Sequence, residues 1–337
     1  MPMIKRPTVS VLLTSYNRQK YLAASIESVL AQHLDTFELI IVDDASTDGS
    51  LAIARDYEAR DLRIRVSVNP LNLGDYLNRN RAAELATGEF IKYHDSDDLM
   101  YPHCLSLMVS LMRSEPSAGL GLSLQRRFTG GPVPMLLSPR QCYQREFLGS
   151  GLFSGGPSNA LFRRDVLEAL GGFEDHGNAS DDYFWLRACA RVNVLALPAD
   201  LFWSRVHPGR ASNTEKASED YTSVIGAQWR ALRDPMSPLM ADERDLALRT
   251  VAHRLAVEVW RDLIAGRVHF ARLRIARSGM SAADFLRYTR RPKLSAFAGT
   301  PLTPEGEFVT PNWNAFARSE ERVGEDRVGE ERVGEDR

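Results

Sequence analysis

Apolar and polar residues alternate in blocks along the first 125 residues, and the period of the pattern changes from block to block. Short β-branched apolar runs (TVSVLLTS, FELIIVDD, IRVSVN and EFIKYH) predict four strands. Between them apolar residues recur three and four positions apart, as at Leu22, Ile26 and Val29, and predict helices. This order predicts an α/β fold, with a mainly parallel central sheet that is buried on both faces and flanked by helices.

The pattern changes in the rest of the chain. Residues 126–212 contain Gly- and Pro-rich loops and one clear helix start, SDDYFWLRACA. From about Glu219 to Arg287 the pattern is helical, with an apolar stripe from Leu248 to Val259. The final RVGED repeat carries one valine per unit and cannot bury a core. We therefore predict a domain over 1–212 (halves 1–125 and 126–212), a C-terminal helical region over 213–300, and a linker with a disordered repeat tail over 301–337.

Composition is typical of a soluble globular protein, with 44% hydrophobic and 26% charged residues. A formal net charge of −2 gives no field that would attract nucleic acid, so we predict no such partner. Cys104, Cys142 and Cys189 show no metal-ligand or redox spacing and are expected to be buried and free. The sequence shows neither a signal peptide nor a run of 18 apolar residues, so we expect a cytoplasmic protein.

Polar side chains follow three of the four predicted strands. Thr14 to Asn17 follow the first strand, Asp43 and Asp44 the second, and Asp95 to Asp98 (DSDD) the fourth. Ligands of open α/β sheets bind beyond the carboxyl ends of the strands, so the three clusters predict a single site.

The crowded aspartates of DSDD repel one another unless a cation, a helix end or open water relieves them. A divalent cation, Mg²⁺ or Mn²⁺, takes one or two protein carboxylates and fills its other positions with water and phosphate oxygens. The alternative is that Asp95 and Ser96 merely cap a helix that begins near Pro102.

Four separated segments resemble the inverting glycosyltransferases of family 2, which have the GT-A fold. They lie within residues 7–210 and read PTVSVLLTSYNR, FELIIVDDASTDGS, NLGDYLNRNRAAELATGEFIKYHDSDD and SDDYFWLR. The resemblance implies a nucleotide-sugar donor, most commonly a UDP-sugar in this family, and a divalent cation (Mn or Mg) as cofactor. That cation would stabilise the charge on the departing nucleoside diphosphate.

The resemblance also implies a role for each matching position on the donor side. Thr14 and Tyr16 would line the nucleoside pocket, and Asp44 would accept a hydrogen bond from the base. Arg79 would lie near the base or the phosphates, unless it is an exposed helical arginine.

Three positions are implied to act near the metal. Asp97 would be the direct ligand, and Asp95 would face either the ribose or the metal. His207, in WSRVHPGR, would approach the metal or the diphosphate, although a structural role is equally expected of a lone histidine.

The attacking hydroxyl must lose a proton, so a base is needed across the sugar from the leaving group. Asp181 and Asp182 at the predicted helix start are the candidates, although a helix dipole favours acids there whatever their function. Alignment with the family on Trp185 to Arg187 implies that Asp181 is the base, with Ser180 replacing the usual glutamate. Asp182 remains the alternative.

The segment LFSGGPSN resembles an acceptor-side loop of the family. Gly155 and Gly156 would let a sugar approach the backbone and Asn159 would bind its hydroxyls, unless the glycines only form a tight turn. By analogy, the acceptor is a bacterial surface glycan such as O-antigen, or a lipid-linked precursor of one.

Other functions receive less support from the sequence. A sugar-nucleotide pyrophosphorylase or a dinucleotide-dependent oxidoreductase would need a Gly-rich first loop, where this chain has TSYNRQKY. An inactive relative that acts as a binding subunit of a glycan-assembly complex is the non-enzymatic alternative. The basic helical region, with Trp260 and Phe270, allows peripheral contact with the inner face of the membrane, but packing against the main domain or a second copy is favoured. The sequence fixes neither sugar, base, acceptor nor oligomeric state.

Overall fold

The structure is a computed structural model that describes residues 6–123, 133–149, 151–153, 155–210, 214–288 and 307–308. The four predicted strands are confirmed to within one residue at each end. The first part of the chain contains β1 Val9–Ser15, α1 Leu22–Leu30, β2 Phe37–Asp43, α2 Ser50–Arg60, β3 Ile64–Val68, α3 Asp75–Glu84 and β4 Phe90–Asp95.

The remainder adds five short strands, a strand pair outside the main sheet, and most of the helices. The middle part contains β5 Leu99–Met100, α4 Cys104–Ser114, β6 Ala118–Ser123, β7 Met135–Leu137, α5 Pro139–Leu148, a 3₁₀ turn Pro157–Asn159, β8 Ala160–Arg163, α6 Arg164–Leu170, α7 Ser180–Cys189, β9 Asn193–Leu197 and β10 Phe202–Trp203. The last part contains α8 Glu215–Tyr221, α9 Val224–Arg233, α10 Ala241–Ile264, α11 Val268–Ser278, α12 Ala282–Tyr288 and β11 Glu307–Phe308.

A nine-stranded sheet with the order β11-β7-β9-β6-β8-β4-β1-β2-β3 forms the centre of the fold. The pairs β1–β2, β1–β4 and β2–β3 are parallel, as the alternating pattern predicts. Beyond β4 the sheet is mixed, because β8 inserts between β4 and β6 and runs antiparallel to both. The expectation of mainly parallel pairing therefore holds for β1 to β4, and the rest of the sheet departs from it.

Both faces of the sheet are buried, as its continuously apolar strands predict. In β1, Leu12 packs into the core on one face, while Val11 and Leu13 pack into the core on the other. The apolar stripe of α10, from Leu248 to Val259, belongs to the first of these cores. Packing against the main domain or a second copy was predicted, and the structure shows the first of these.

Several smaller expectations can be compared with the structure. Helix α4 begins at Cys104, its N-cap residue His103 makes no side-chain cap hydrogen bond, and Oε1 of Gln32 accepts from the N–H of Leu105 (3.0 Å). The alternative in which Asp95 and Ser96 cap a helix near Pro102 is therefore wrong. The three cysteines are buried and free, as predicted. In the described part of the chain, no helix is both long and apolar enough to cross a membrane.

One short strand lies in the region predicted to be a linker and tail. β11 pairs antiparallel with β7, with Glu307 opposite Leu136 and Phe308 opposite Met135. The predicted RVGED tail lies outside the described residues. The segment after the predicted boundary at 301 therefore contributes an edge strand to the main sheet.

Candidate functional site

The Asp44 carboxylate organises the carboxyl end of β2. Its Oδ1 accepts hydrogen bonds from Nδ2 of Asn69 (2.7 Å) and the N–H of Leu73 (2.9 Å), and its Oδ2 accepts one from the N–H of Gly74 (3.0 Å). A carboxylate offers about four acceptor positions, so Asp44 can still accept a further hydrogen bond from a ligand.

The loops after β1 and β2 are tied to each other. Oδ1 of Asn17 accepts from the N–H of Thr47 (2.8 Å), while the N–H of Asn17 donates to Oγ of Ser46 (3.0 Å). Asn17 (φ 53°) and Ala45 (φ 59°) have left-handed backbones, a strained conformation that the surrounding structure must hold. Asp43 accepts from the N–H of Ser46 (2.8 Å) and so stabilises the strand end.

The antiparallel pairing of β5 with β10 holds the DSDD turn against a later segment of the same chain. The N–H of Arg205 donates to Oδ1 of Asp98 (2.9 Å), and Nε of Arg205 donates to the carbonyl oxygen of Asp97 (2.9 Å). Burial, followed by the charge of Asp95, raises the pKa of Asp98 to about 7. The strand pair thus fixes the loop 204–207 beside the turn.

This pairing also brings His207 to Asp97. Nε2 of His207 lies 2.9 Å from Oδ2 of Asp97, and Nε of Arg18 lies 3.4 Å from the same oxygen. The His207 ring packs against Tyr21, with 4.7 Å between the ring centroids. His207 therefore lies beside Asp97, the residue that the family resemblance implies as the direct metal ligand.

Arg79 is buried beneath the turn, with 5% of its surface exposed, so the alternative of an exposed helical arginine is wrong. Its NH2 donates to Oδ1 of Asp95 (2.6 Å), and its Nε lies 3.2 Å from Oδ1 of Asp75. Burial by itself would raise the pKa of Asp95, but the Arg79 guanidinium outweighs it and lowers that pKa to about 2. Asp95 is thus a permanent anion at the end of β4.

The loop 155–159 is anchored by two buried side chains. Nε1 of Trp185 donates to the carbonyl oxygen of Gly155 (2.9 Å), and Nζ of Lys92 donates to that of Ser158. Nδ2 of Asn159 donates to the carbonyl oxygen of Gly156 (3.2 Å), so this side chain folds back on its own loop. The predicted acceptor contact of Asn159 would require that hydrogen bond to be exchanged.

Helix α7 places the two candidate bases at its start. Oγ of Ser180 donates to the carbonyl oxygen of Gly177 (2.7 Å) and accepts from the N–H of His176 (2.8 Å), so it shapes the turn before the helix. Burial raises the pKa of Asp181 to about 6. Burial, the charge of Asp181 and that of Glu146 raise the pKa of Asp182 to about 8.

Two cavities meet at Asp181. The first, of about 330 Å³, opens at the carboxyl ends of β1, β2 and β4. The second, of about 650 Å³, lies between Phe153, Gly155 and Gly156 on one side and helices α8–α11 on the other. Asp181, Gly156, Arg210 and Tyr221 line both cavities, whereas Asp182 and Gly155 line the second.

Eight of the residues singled out from the sequence line the first cavity, namely Thr14, Tyr16, Asp44, Arg79, Asp95, Asp97, Gly156 and Asp181. Sequence reasoning missed Arg18, Tyr76, Arg210 and Tyr221, which also line it. Arg18 and Tyr76 lie inside the quoted motifs, so sequence analysis could have identified them. Arg210 ends the quoted segment WSRVHPGR and Tyr221 follows all the quoted segments, and no local pattern marks either of them.

Residues 10–171 match the model of the family Glycosyl transferase family 2. The Escherichia coli protein UDP-Glc:alpha-D-GlcNAc-diphosphoundecaprenol beta-1,3-glucosyltransferase WfgD is 36% identical over 227 residues, which cover 67% of this chain and 85% of WfgD. The chain belongs to glycosyltransferase family 2. This family 2 chain is also 33% identical to the putative glycosyltransferase EpsH of Bacillus subtilis (strain 168) over 220 residues, or 60% of this chain and 62% of EpsH.

Other relatives of the family 2 chain are matched over a smaller share of their length. The alignment covers 38% of the putative glycosyltransferase EpsE and 37% of the putative teichuronic acid biosynthesis glycosyltransferase TuaG, both from *B. subtilis* (strain 168). The chain therefore spans less than two thirds of the length of several relatives, EpsH included.

Solved structures confirm the predicted GT-A fold of this family 2 chain. *S. aureus* TarS 1-349, in complex with UDP-GlcNAc, superposes with a TM-score of 0.56 at 24% identity, over 74% of this chain and 71% of that one. The mannosyltransferase PcManGT from Pyrobaculum calidifontis, in complex with GDP-Man and Mn2+, gives a TM-score of 0.56 at 19% identity, over 81% and 87%.

The residues at the DSDD turn fit a divalent cation only in part. Within the described ranges, no three His, Cys, Asp or Glu side chains are grouped closely enough to hold a metal ion by themselves. Oδ2 of Asp97 and Nε2 of His207 are nevertheless adjacent, and both atom types are metal ligands. A cation that brings its other ligands as diphosphate oxygens and water would fit this pair.

Proposed function

We propose that the protein transfers a sugar from a nucleotide-sugar, with a UDP-sugar as the first candidate, to a hydroxyl acceptor with inversion. The observation that carries this proposal is the position of Asp181 where the two cavities meet. A displacement with inversion needs the base on the side of the sugar opposite the leaving group. The first cavity would hold the donor and the second the acceptor, with Asp181 between them.

The donor side is assigned from the groups that line the first cavity. Asp44 would accept a hydrogen bond from the base, and Thr14 and Tyr16 would enclose the nucleoside. The name of WfgD and the UDP-GlcNAc in the TarS complex favour a UDP-sugar, whereas the PcManGT complex holds GDP-Man. We therefore propose UDP as the nucleotide and keep GDP as an outcome to be tested.

Asp97 and His207 would hold a divalent cation at the diphosphate. The imidazole nitrogen favours Mn²⁺ over Mg²⁺, which prefers oxygen ligands alone. The cation, when bound, would stabilise the charge on the leaving diphosphate. Arg18 now lies against Asp97, and its guanidinium would turn to the phosphate oxygens once the carboxylate binds a metal.

Asp181 would take the proton of the attacking hydroxyl. Its raised pKa, about 6, leaves it ionised at neutral pH yet basic enough to accept a proton. Gly156 lies beside it, and an added Cβ there would stand 3.8 Å from Oδ2 of Asp181. The lack of a side chain at Gly156 keeps the space near the base open for the acceptor.

The acceptor is proposed to belong to bacterial surface polysaccharide or O-antigen synthesis. WfgD, by its name, acts on a diphosphoundecaprenol-linked sugar, and TuaG, by its name, serves teichuronic acid synthesis. We propose the same broad substrate class for this chain. An inactive relative would keep donor binding without turnover.

We expect UDP to bind with a Kd that falls about a hundredfold when Mn²⁺ is added, because the cation links Asp97 to the diphosphate. Calorimetry with UDP, dTDP and GDP, with and without Mn²⁺, measures this directly. Asp97→Ala should remove the Mn²⁺ dependence. Asp56→Ala, at an exposed ion pair on α2, is the matched control and should keep it. Failure of all three nucleotides to bind, with or without Mn²⁺, would overturn the donor site.

The pH dependence of turnover tests the base. We expect kcat/KM for UDP release from a UDP-sugar, with water as acceptor, to fall about tenfold per unit below pH ~6, since Asp181 must be deprotonated. Tyr76 donates a hydrogen bond that lowers the pKa of Asp181, so Tyr76→Phe should move this limb to higher pH. A profile that stays flat down to pH 5 would contradict the role of Asp181.

A further inference from the structure

The second cavity extends away from Asp181 along the C-terminal helices. Its far wall is formed by α10 and α11, which follow the residues 10–171 that match the family model. Helices outside the matched segment thus shape the space in which an acceptor would stand. Side chains on this wall are therefore placed to decide which acceptors this particular chain accepts.

Two arginines on this wall are available to a ligand. Arg254 and Arg261 line the cavity from α10, and both are exposed. Among the residues that the structure describes, neither side chain makes an ion pair or a hydrogen bond, although Arg254 acts electrostatically on Asp182. Arg254 and Arg261 lie two turns apart on one face of α10, about 10 Å along its axis.

The other charged side chains that line the cavity from α10 and α11, Glu258 and Arg274, pair with each other, and neutral groups donate hydrogen bonds to Glu146 on α5. NH1 of Arg274 lies 2.5 Å from Oε2 of Glu258, and its Nε lies 2.8 Å from Oδ2 of Asp262. Glu146 accepts hydrogen bonds at both carboxylate oxygens, from the N–H groups of Leu152 and Phe153 and from Gln228. Arg254 and Arg261 are therefore the cationic groups of this wall that remain without an acidic partner in the described part of the chain.

We propose that the second cavity is an acceptor site for a sugar that carries a phosphate-type anion, which Arg254 and Arg261 bind. This inference rests on the proposed function, because it takes Asp181 as the base and the first cavity as the donor site. Guanidinium groups bind phosphate oxygens through two parallel hydrogen bonds, which suits them to this role. The accepting hydroxyl would lie at Asp181, with the phosphate farther along α10.

An apolar strip lies beside these arginines. Val257, Trp260 and Ile264 are 41%, 65% and 84% exposed, and their spacing of three and four places them on one face of α10 next to Arg261. A phosphate that is attached to a lipid would meet both the arginines and this strip. The arrangement therefore favours a lipid-linked phosphate over a phosphate within a polar glycan.

Binding of farnesyl diphosphate to the full chain, with the donor site filled by UDP and Mn²⁺, tests this proposal without a choice of sugar. Calorimetry should show binding that Arg254→Gln and Arg261→Gln each weaken by about tenfold. Arg272→Gln, at an exposed arginine of α11 outside the cavity lining, is the matched control and should bind like the wild type.

Two further ligands separate the sources of the phosphate. Farnesol, which lacks the anion, should bind at least about tenfold more weakly than farnesyl diphosphate. Inorganic pyrophosphate that binds as tightly as farnesyl diphosphate would overturn the lipid source but keep the anion site.

The anion site is overturned if farnesyl diphosphate fails to bind while UDP binds, or if Arg272→Gln weakens binding as much as the two cavity variants. Loss of UDP binding in the wild type would instead overturn the proposed function. The two failures are thus distinguishable. UDP affinity should be equal in all three arginine variants, which confirms that each is folded.

Discussion

Replacement of Asp181 by asparagine is expected to lower kcat by about 10³-fold and to leave the affinity for UDP within about twofold of the wild type. Asparagine keeps the shape of the side chain but cannot accept a proton at neutral pH. The rate is measured as UDP release from a UDP-sugar with water as acceptor, and the affinity by calorimetry with Mn²⁺ present. A general base is expected to affect turnover far more than donor binding.

Asp182→Asn is the matched control on the same helix turn. Asp182 lines only the second cavity of the two that meet at Asp181. With a pKa raised to about 8, it is largely protonated at neutral pH and is a poor base there. We expect this variant to keep kcat within about tenfold of the wild type. Equal losses in the two variants would contradict the assignment of the base to Asp181 alone.

Replacement of Arg79 by methionine is expected to lower the free energy of unfolding by about 2–3 kcal/mol. The buried guanidinium neutralises Asp95, and its removal leaves that carboxylate without its partner. The Asp95 side chain is 30% exposed, which places the cost at the lower end of values for a broken buried pair. Urea unfolding at pH 7 measures this difference.

Arg81→Met is the matched control, because Arg81 forms a solvent-exposed pair with Glu84 on the same helix. Its cost should stay below about 1 kcal/mol. The Asp95 pKa is lowered to about 2, so the stability that Arg79 adds is present above pH ~4 and is lost as the pH falls through about 2. The difference in the free energy of unfolding between the wild type and Arg79→Met should therefore be smaller at pH 3 than at pH 7. This account would be contradicted if the two substitutions lowered the free energy of unfolding equally, or if the effect of Arg79→Met were the same at pH 3 as at pH 7.

The motifs in the first 100 residues could be recognised in the sequence because each is short and continuous. The aspartates of DSDD follow the apolar run of β4 directly, so their place at the carboxyl end of a strand follows from local pattern alone. The same holds for Asp44 after β2 and for Thr14 at the end of β1. Parallel pairing of neighbouring strands then brings these ends to one edge.

The burial of Arg79 could not be predicted from the sequence in the same way. Its helix α3 contains polar and charged residues on several sides, so local periodicity gives no signal for the buried face. The tertiary structure decides the matter, because α3 packs so that Arg79 lies between Asp75 and Asp95.

The sequence by itself determined the first four strands and the helices between them, the order of the motifs and the family, since these depend on periods of two and 3.6 residues and on short contiguous segments. The tertiary structure decided which distant residues meet. His207 reaches Asp97 across 110 positions through the pairing of β5 with β10, and the second cavity forms where α8–α11 pack beside Asp181. Such contacts depend on packing between elements, which local periodicity does not encode.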